Sequence, residues 1–336
     1  MPEIRHDQLS DFSSIDQQLN SVTSKCELCG PSNSLILSIK KVGNYIKISK
    51  EEDADWDVKV IKNPHPLFDE NFSGEWGEGP FKSEPAKGTD EVIVLGPAHL
   101  PFQNLSVQLI AEGLYAAQED IKMISSRSRI TYVSMALNSA LGTDHSGHPT
   151  LSITGLTFIP RAIMNEMRAF KDEYDNRASC PVCEIVKAET NGPRQIYRSD
   201  NFIVVLPWSP ARDNEIRVLP ILHSKPFQKL TQKEIDDLAL ILKLTGSALY
   251  KKSGKDYGIA FRLNPVKRSS LFYHWYMSVF NINNARDMYK ENLGLIIMEK
   301  SQNRDAEPMS KVFRESFTEY VGMQTVKHDS GTSMSG

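Results

Sequence analysis

Apolar residues along the chain recur with a period of two in many short runs, which is the pattern of half-buried β-strands. The predicted strands of the first part are residues 34–40, 45–48, 58–61, 91–95, 130–137 and 153–159, and those of the second part are 202–206, 216–219, 258–263 and 271–281. Because the first of these runs are short and closely spaced, they favour an antiparallel sheet.

Longer stretches have helical periodicity and lie between the predicted strands. The predicted helices cover residues 104–127, 165–177, 232–252 and 309–320. The third follows Thr231, and Glu234 lies three residues later, which is the signature of a capping box. Strands mixed with helices in this way predict an α+β fold.

The order of these elements repeats once. Each part contains a Cys-x-x-Cys pair, a strand that ends in a proline and a histidine, a long helix, and a strand with a second histidine. His99 and His148 are 49 residues apart, and His223 and His274 are 51 apart. The longer cysteine-to-histidine spacing of the first part indicates a loop insertion. We therefore predict two modules, at 21–163 and 164–322, with a flexible lead-in at 1–20 and a disordered tail at 323–336.

The amino-acid composition and net charge indicate which broad class of protein this is. The 336 residues are 40% hydrophobic and 24% charged with a net charge of −3, and no basic block stands out. These values predict a globular protein without a nucleic-acid partner. No apolar run has transmembrane length, so no membrane partner is predicted. The first twenty residues lack the apolar core of a secretory signal, and the predicted location is the cytoplasm.

The four cysteines form two pairs with the same spacing. In a chain without a secretory signal, this spacing favours metal binding over disulfides. Structural zinc takes four tetrahedral ligands from Cys and His. The repeat therefore predicts two zinc ions per chain, one held by Cys26, Cys29, His99 and His148 and the other by Cys180, Cys183, His223 and His274. The alternative is that the cysteines are free buried thiols and that the histidines are ordinary core or surface residues.

His148 lies where a polar loop meets a strand, in the stretch Ser146-Gly147-His148-Pro149-Thr150-Leu151-Ser152. Residues two apart on a strand share a face. Thr150 is therefore expected to lie beside whatever His148 contacts.

Several motifs together resemble the galactose-1-phosphate uridylyltransferase family. They are Cys26-x-x-Cys29, Asn63-Pro64-x-Pro66, Glu91-Val92-Ile93-Val94 with Pro97-x-His99, His148-Pro149, Leu206-Pro207-Trp208, Glu215 to His223, and His274-Trp275. The resemblance covers about residues 24–320. It implies a tandem pair of histidine-triad modules around a central, mainly antiparallel sheet with flanking helices. Related plant-type nucleotide-sugar phosphorylases carry two Cys-Cys-His-His zinc sites, which is the arrangement predicted above.

The chain departs from this family at the active loop. The family sequence is His-Pro-His-x-Gln, in which the second histidine attacks the α-phosphorus of a nucleotide sugar and the glutamine supports the phosphate. Those positions hold Thr150 and Ser152 in this chain, and the His-Trp-His of the second half has become His274-Trp275-Tyr276. A threonine hydroxyl needs an adjacent base, and its phosphodiester is harder to break than a phosphoramidate. A uridylyl-histidine mechanism is therefore not expected.

Three hypotheses remain for the function. The first is an enzyme diverted to another reaction on a phosphorylated or nucleotide-linked small molecule. The second is a catalytically silent binding protein, and the third is a hexose-1-phosphate nucleotidyltransferase in which another residue, His145, has taken over. A second copy of the chain in a homodimer is the other predicted partner.

The candidate site residues follow from the loop and from the resemblance. The candidate catalytic residues are Thr150, His145 and Ser152, and the candidate substrate-binding residues are Asn63 near a base or ribose and Asn138 and Ser146 near phosphates. The alternative for His145 is a solvated polar residue in a turn. Trp208 and Trp275 are expected in the core. Glu189 is interpreted either as a metal ligand, by the resemblance, or as an ion-pair partner.

Overall fold

The strands in the described part of the chain form one small and one large sheet. The computed structural model describes residues 3–6, 13–16, 26, 28, 34–42, 45–51, 56–64, 66–74, 82–138, 148–223, 225–266, 272–281 and 306–330. In chain order its strands are β1 (Glu3–His6), β2 (Ser13–Asp16), β3 (Leu35–Val42), β4 (Tyr45–Ser49), β5 (Val58–Lys62), β6 (Lys82–Pro85), β7 (Gly88–Leu95), β8 (Tyr132–Asn138), β9 (Thr150–Leu156), β10 (Gln195–Arg198), β11 (Phe202–Val205), β12 (Ile216–Pro220), β13 (Tyr257–Arg262) and β14 (Tyr276–Asn281). The small sheet has the order β2-β1-β6.

The large sheet joins the two halves of the chain. Its eleven strands have the order β10-β11-β12-β14-β13-β8-β9-β7-β5-β3-β4, and every neighbouring pair is antiparallel. The halves meet where β8 pairs with β13, with Ala136 opposite Ala260. On either side of this pair the strands follow in matching order, with β9 and β7 on one side and β14 and β12 on the other.

The helices are α1 (Val107–Ser126), α2 (Arg161–Arg177), α3 (Pro181–Glu189), α4 (Gln232–Ser253) and α5 (Ala306–Ser330). Helices α1 and α4 pack together over one face of the large sheet and enclose the largest core cluster. The predicted capping box at Thr231 and Glu234 is present. The predicted α+β fold is confirmed.

A pair of matching hydrogen bonds ties α1 to α4. The side chain of Gln118 donates to the Leu230 carbonyl at 3.1 Å, just before α4 begins. In return, the Lys243 ammonium donates to the Leu105 carbonyl, just before α1 begins. Each donor lies twelve residues after the N-cap of its own helix, Ser106 or Thr231. The internal repeat found in the sequence therefore extends to the contacts between the helices.

The opposite face of the large sheet is covered only in part. There α2 and α3 pack on a second core cluster, which includes Phe170, Val186 and Leu219. We call this the open face, because Ala136 and Ser152, in the central strands β8 and β9, remain exposed on it. The predicted module boundary at 163/164 falls in the first turn of α2, and the exact limits of the modules stay predictions.

Some details differ from the sequence expectations. Two strands, β1 and β2, lie within the lead-in that was expected to be flexible. Helix α5 continues to Ser330, into the tail that was expected to be disordered. The expectation that Trp208 is a core residue is wrong, because it is 70% exposed and stacks on the Arg194 guanidinium. The same expectation for Trp275 is confirmed, since this ring is fully buried.

Candidate metal centres and the open sheet face

The second half brings together all four of its predicted metal ligands. Cys180, Cys183, His223 and His274 each offer one ligand atom, and these atoms lie within 4.8 Å of one another. His223 follows the end of β12, and His274 lies two residues before β14. The Trp275 indole donates to the Lys225 carbonyl at 2.7 Å, which fixes the backbone beside His274.

The local sequence explains how the two thiols reach this cluster. Cys180 is the N-cap of α3, Pro181 occupies the first helical position, and Cys183 lies in the first turn. Proline is favoured at that position because its missing N–H would have no helical partner. Both thiols therefore sit at the positive end of the helix, where thiolates are stabilised.

The distances in this cluster match tetrahedral zinc. Typical Zn–S and Zn–N bonds of about 2.3 and 2.05 Å at a tetrahedral angle separate sulfur from nitrogen by about 3.6 Å. The His274 Nδ1 atom lies 3.8 Å from Cys180 Sγ and 3.5 Å from Cys183 Sγ, and His223 Nδ1 lies 3.4 Å from Cys183 Sγ. These three distances therefore suit tetrahedral zinc coordination.

Burial controls the protonation of these groups. It lowers the pKa of His274 to about 3, assisted by the neighbouring His223. Burial and the adjacent Cys180 also raise the pKa of Cys183 to about 12. Neutral imidazoles suit a metal directly, whereas the thiols must lose their protons as a metal binds.

The first half holds a matching cluster at the opposite end of the sheet. Cys26, His99 and His148 offer ligand atoms within 4.8 Å of one another. The two imidazole centroids are 4.0 Å apart. The fourth predicted ligand, Cys29, lies outside the described residues. The three described donors fit the same kind of ion.

Thr150 and Ser152 point from β9 onto the open face. Leu151 and Ile153, which alternate with them, belong to the core under α1 and α4. Thr150 is buried, with 6% of its surface exposed, whereas Ser152 is exposed. The structure therefore presents two hydroxyls on this face, next to the first cluster, as the strand alternation predicts.

The remaining candidate residues are not all gathered here. In the sheet register, Thr150 pairs with Val94 of β7, and Val94 pairs with Lys59 of β5. Asn63 lies four residues after Lys59, just beyond the end of β5. At about 3.3 Å per strand residue, Asn63 is roughly 13 Å from the level of Thr150. It lines a separate cavity of about 530 Å³ with Arg127, Arg129 and Lys62.

The loop residues predicted beside Thr150 can be placed only in part. Asn138 ends β8 and pairs with Thr150 in the sheet register. His145 and Ser146 lie outside the described residues. Their predicted roles therefore stay predictions.

The second half places Tyr276 and Ser278 where the first half has Thr150 and Ser152. Each pair begins two residues after the second histidine of its half, and each lies in the strand next to the central pair β8–β13. Ser278 is buried and donates to the Glu215 carboxylate at 3.1 Å. These hydroxyls are therefore used within the protein.

Tyr276 belongs to a polar cluster under α2. The Tyr273 hydroxyl donates to Glu166 Oε1 at 2.8 Å, and Tyr276 lies near the same carboxylate. Burial raises the pKa of Tyr132 to about 12, although the nearby Arg262 guanidinium lowers it. Burial and Glu166 together raise the pKa of Tyr273 and Tyr276 as well. The three phenols are therefore neutral at neutral pH.

The structure decides between the two interpretations of Glu189, and it shows three residues of the open face that were not predicted. Glu189 forms a close ion pair with Arg194 and belongs to neither Cys/His cluster, so it is an ion-pair partner. Arg262, Ser134 and Thr154 also point onto the open face and were not singled out. Their alternation with core residues in predicted strands was the available signal, but it could not show which strands would be neighbours.

The chain is similar to known uridylyltransferases. A comparison with protein-family models finds no match. Galactose-1-phosphate uridylyltransferase of Thermotoga maritima is 21% identical over 244 residues, which is 70% of this chain and 76% of that protein.

Solved structures share the fold. A uridylyltransferase structure superposes with a TM-score of 0.80 at 21% identity, covering 93% of this chain and 99% of the other. An ADP-glucose phosphorylase from Arabidopsis thaliana, with ADP-glucose bound, gives a TM-score of 0.70 at 19% identity, covering 94% and 98%. The resemblance recognised from the motifs is confirmed. No helix in the described part of the chain is long and apolar enough to span a membrane.

Proposed function

We propose that the chain is an enzyme that acts on a phosphorylated or nucleotide-linked small molecule without forming a nucleotidyl-histidine. The observation that carries this proposal is the pair of hydroxyls on the open face. Thr150 and Ser152 occupy the positions of the attacking histidine and the supporting glutamine in the resembling family, and Ser152 is exposed. The names of the similar proteins support nucleotidyl-transfer chemistry in general.

The roles of these residues follow from their chemistry. A hydroxyl donates a hydrogen bond to a phosphate oxygen and accepts one from a sugar. Thr150 and Ser152 would therefore bind and orient the substrate. Zinc at the two Cys/His clusters would be structural, because each predicted set fills all four positions with protein ligands and leaves none open for substrate.

The central test is direct detection of a covalent intermediate. The protein is incubated with UDP-glucose radiolabelled in the α-phosphate and then denatured. We expect no acid-labile, base-stable label on the protein. Such a label would contradict the proposal and favour the hypothesis in which His145 serves as the nucleophile.

A restoration experiment separates an altered site from a damaged one. If the pocket has been rebuilt, Thr150→His with Ser152→Gln should gain no uridylyl transfer. A restored imidazole must be placed accurately, since an error of about 1 Å at the reacting centre can cost roughly a hundredfold in rate. Robust transfer by the double variant would show instead that the chain is a silenced transferase.

Binding assays test the site itself. In a thermal-shift screen with AMP, UMP and α-D-glucose 1-phosphate, Thr150→Ala with Ser152→Ala should reduce the shift. Thr157→Ala is the matched control, because Thr157 follows the end of the same strand and donates to the Lys87 carbonyl. If none of the probes shifts the wild-type protein, the proposed substrate class is wrong.

A further inference from the structure

A row of polar side chains crosses four neighbouring strands on the open face. Thr154 in β9 pairs with Ser134 in β8. Arg262 in β13 takes the next position, after the Phe261–Met135 pair, and it pairs with Tyr276 in β14. Neighbouring strands are about 4.8 Å apart. Two hydroxyls, a guanidinium and a phenol therefore stand side by side.

The row borders the uncovered part of the open face. Its four members are all partly exposed, whereas Tyr132 and Leu156, in the next row, are buried beneath α2. On the other side of the row lie Ala136 and Ser152, both exposed. A ligand that rests on the small Ala136 side chain can therefore reach both Ser152 and the row.

The Arg262 Nε atom is buried and has no hydrogen-bond partner in the described part of the chain. The nearby Glu166 carboxylate attracts the guanidinium electrostatically, but its Oε1 atom accepts the hydrogen bond of the Tyr273 hydroxyl. A guanidinium has five N–H donors, and unused buried donors cost free energy. An acceptor supplied by a ligand would therefore satisfy the Arg262 Nε–H.

We propose that Arg262, with the hydroxyls of Ser134 and Thr154, binds a phosphate group of the ligand. Guanidinium and phosphate form paired, charge-assisted hydrogen bonds, and the two hydroxyls supply further donors. This inference deepens the proposed function, on which it rests, because it places the phosphate on β8 and β13 rather than on the loop before His148. The ligand then extends from Ser152 across Ala136 to Arg262.

The carboxylate of Asp90 lies beside Thr154, beyond the end of the row, and does not prevent phosphate binding at Arg262. Asp90 in β7 pairs with Thr154 in the register and lies three strands away from Arg262. Its carboxylate accepts from the Leu67 amide at 2.8 Å. Burial raises the pKa of Asp90, although this amide and Asn63 oppose the change. The acid is thus turned toward the 63–67 segment.

The test measures binding of inorganic phosphate, α-D-glucose 1-phosphate and AMP by calorimetry. Arg262→Gln should weaken binding of at least one probe about tenfold or more, as expected for a lost charge-assisted contact. Arg262→Lys should lie between this variant and the wild type. Binding of inorganic phosphate alone would identify free phosphate as the source, and binding only of the larger probes would identify a sugar phosphate or a nucleotide.

Further variants separate binding from folding. Glu166→Gln is the matched control, since it alters the same cluster without removing the guanidinium. If Arg262 only balances Glu166, both variants will lower the unfolding temperature and neither will change phosphate affinity, which would overturn the inference. If Arg262→Gln does not fold, Ser134→Ala with Thr154→Ala decides, and unchanged affinity in that variant overturns the inference.

The two proposals can fail separately. If Thr150→Ala with Ser152→Ala leaves binding unchanged while Arg262→Gln weakens it, the proposed role of the β9 hydroxyls is wrong and the Arg262 site stands. The reverse result removes the Arg262 site and leaves the proposed function.

Discussion

The two halves of the molecule use the same strand positions in different ways. In the first half, Ser152 is exposed on the open face. In the second half, the corresponding Ser278 is 8% exposed and donates to Glu215. The repeat thus preserves the framework, while the matching serines differ in their exposure. Duplication allows this, because the two copies of one strand position can take different roles.

Removing one predicted metal ligand should change the stability of the protein more than any other variant proposed for comparing the two halves. Cys180→Ser should lower the zinc content from about two ions to about one and greatly destabilise the protein, since structural zinc contributes on the order of 10 kcal/mol. Cys26→Ser makes the matching change in the first half. Elemental analysis and denaturant unfolding measure both. Retention of two zinc ions by both variants would contradict the assignment.

A buried carboxyl distinguishes α1 from α4. Asp120 lies fourteen residues after its N-cap, where α4 has Thr245, and both side chains are fully buried. Burial, and then the Glu91 carboxyl, raise the pKa of Asp120 from 3.8 to about 9. Between these values the folded state holds a proton that the unfolded chain has lost, so stability falls as the pH rises.

The corresponding variant should remove this pH dependence. The wild type should lose up to about 1.4 kcal/mol of unfolding free energy per pH unit between pH 5 and 9. Asp120→Asn should flatten that slope, whereas Thr245→Val should leave it unchanged. Chemical denaturation across this pH range measures the slope. An unchanged slope in Asp120→Asn would place the titration elsewhere.

The smallest predicted effect concerns the stability of two variants, in which a glycine of α1 or of α4 is replaced by alanine. A Cβ at Gly246 would lie 2.7 Å from Cζ of Tyr257, a fully buried ring whose hydroxyl bonds Gln103 at 3.2 Å. A Cβ at Gly113 would meet only the end of the Leu95 side chain, which can rotate. Gly246→Ala should therefore cost about 1–3 kcal/mol.

The glycine variant of α1 should be milder. In Gly113→Ala, the gain in helix propensity of about 1 kcal/mol should offset most of the strain. Thermal unfolding compares the two variants. Equal losses would show that Leu95 is held as rigidly as Tyr257.

The sequence predictions that were confirmed depend on contacts between residues that are close in the sequence, and those that were wrong depend on tertiary packing. The capping box at Thr231 and Glu234 forms because its contacts lie within one helical turn. Trp208 was misjudged because burial depends on what packs against a side chain, and local sequence does not contain this information. Helix α5 runs from Ala306 to Ser330, whereas the sequence pattern ended it near residue 320.

The residues of the candidate site likewise fall into those that the sequence predicted and those that only the structure brought together. The grouping of the described Cys and His residues could be predicted from the sequence, because each predicted set recurs at matching points of a repeated pattern. The partnership of Thr154, Ser134, Arg262 and Tyr276 could not, since they are brought together only by the pairing of β8 with β13 across the two halves. Residues that are close in sequence determine helix caps and ligand motifs. The order of the strands in the sheet depends instead on how the whole chain buries its apolar faces. The row on the open face is therefore visible only in the folded structure.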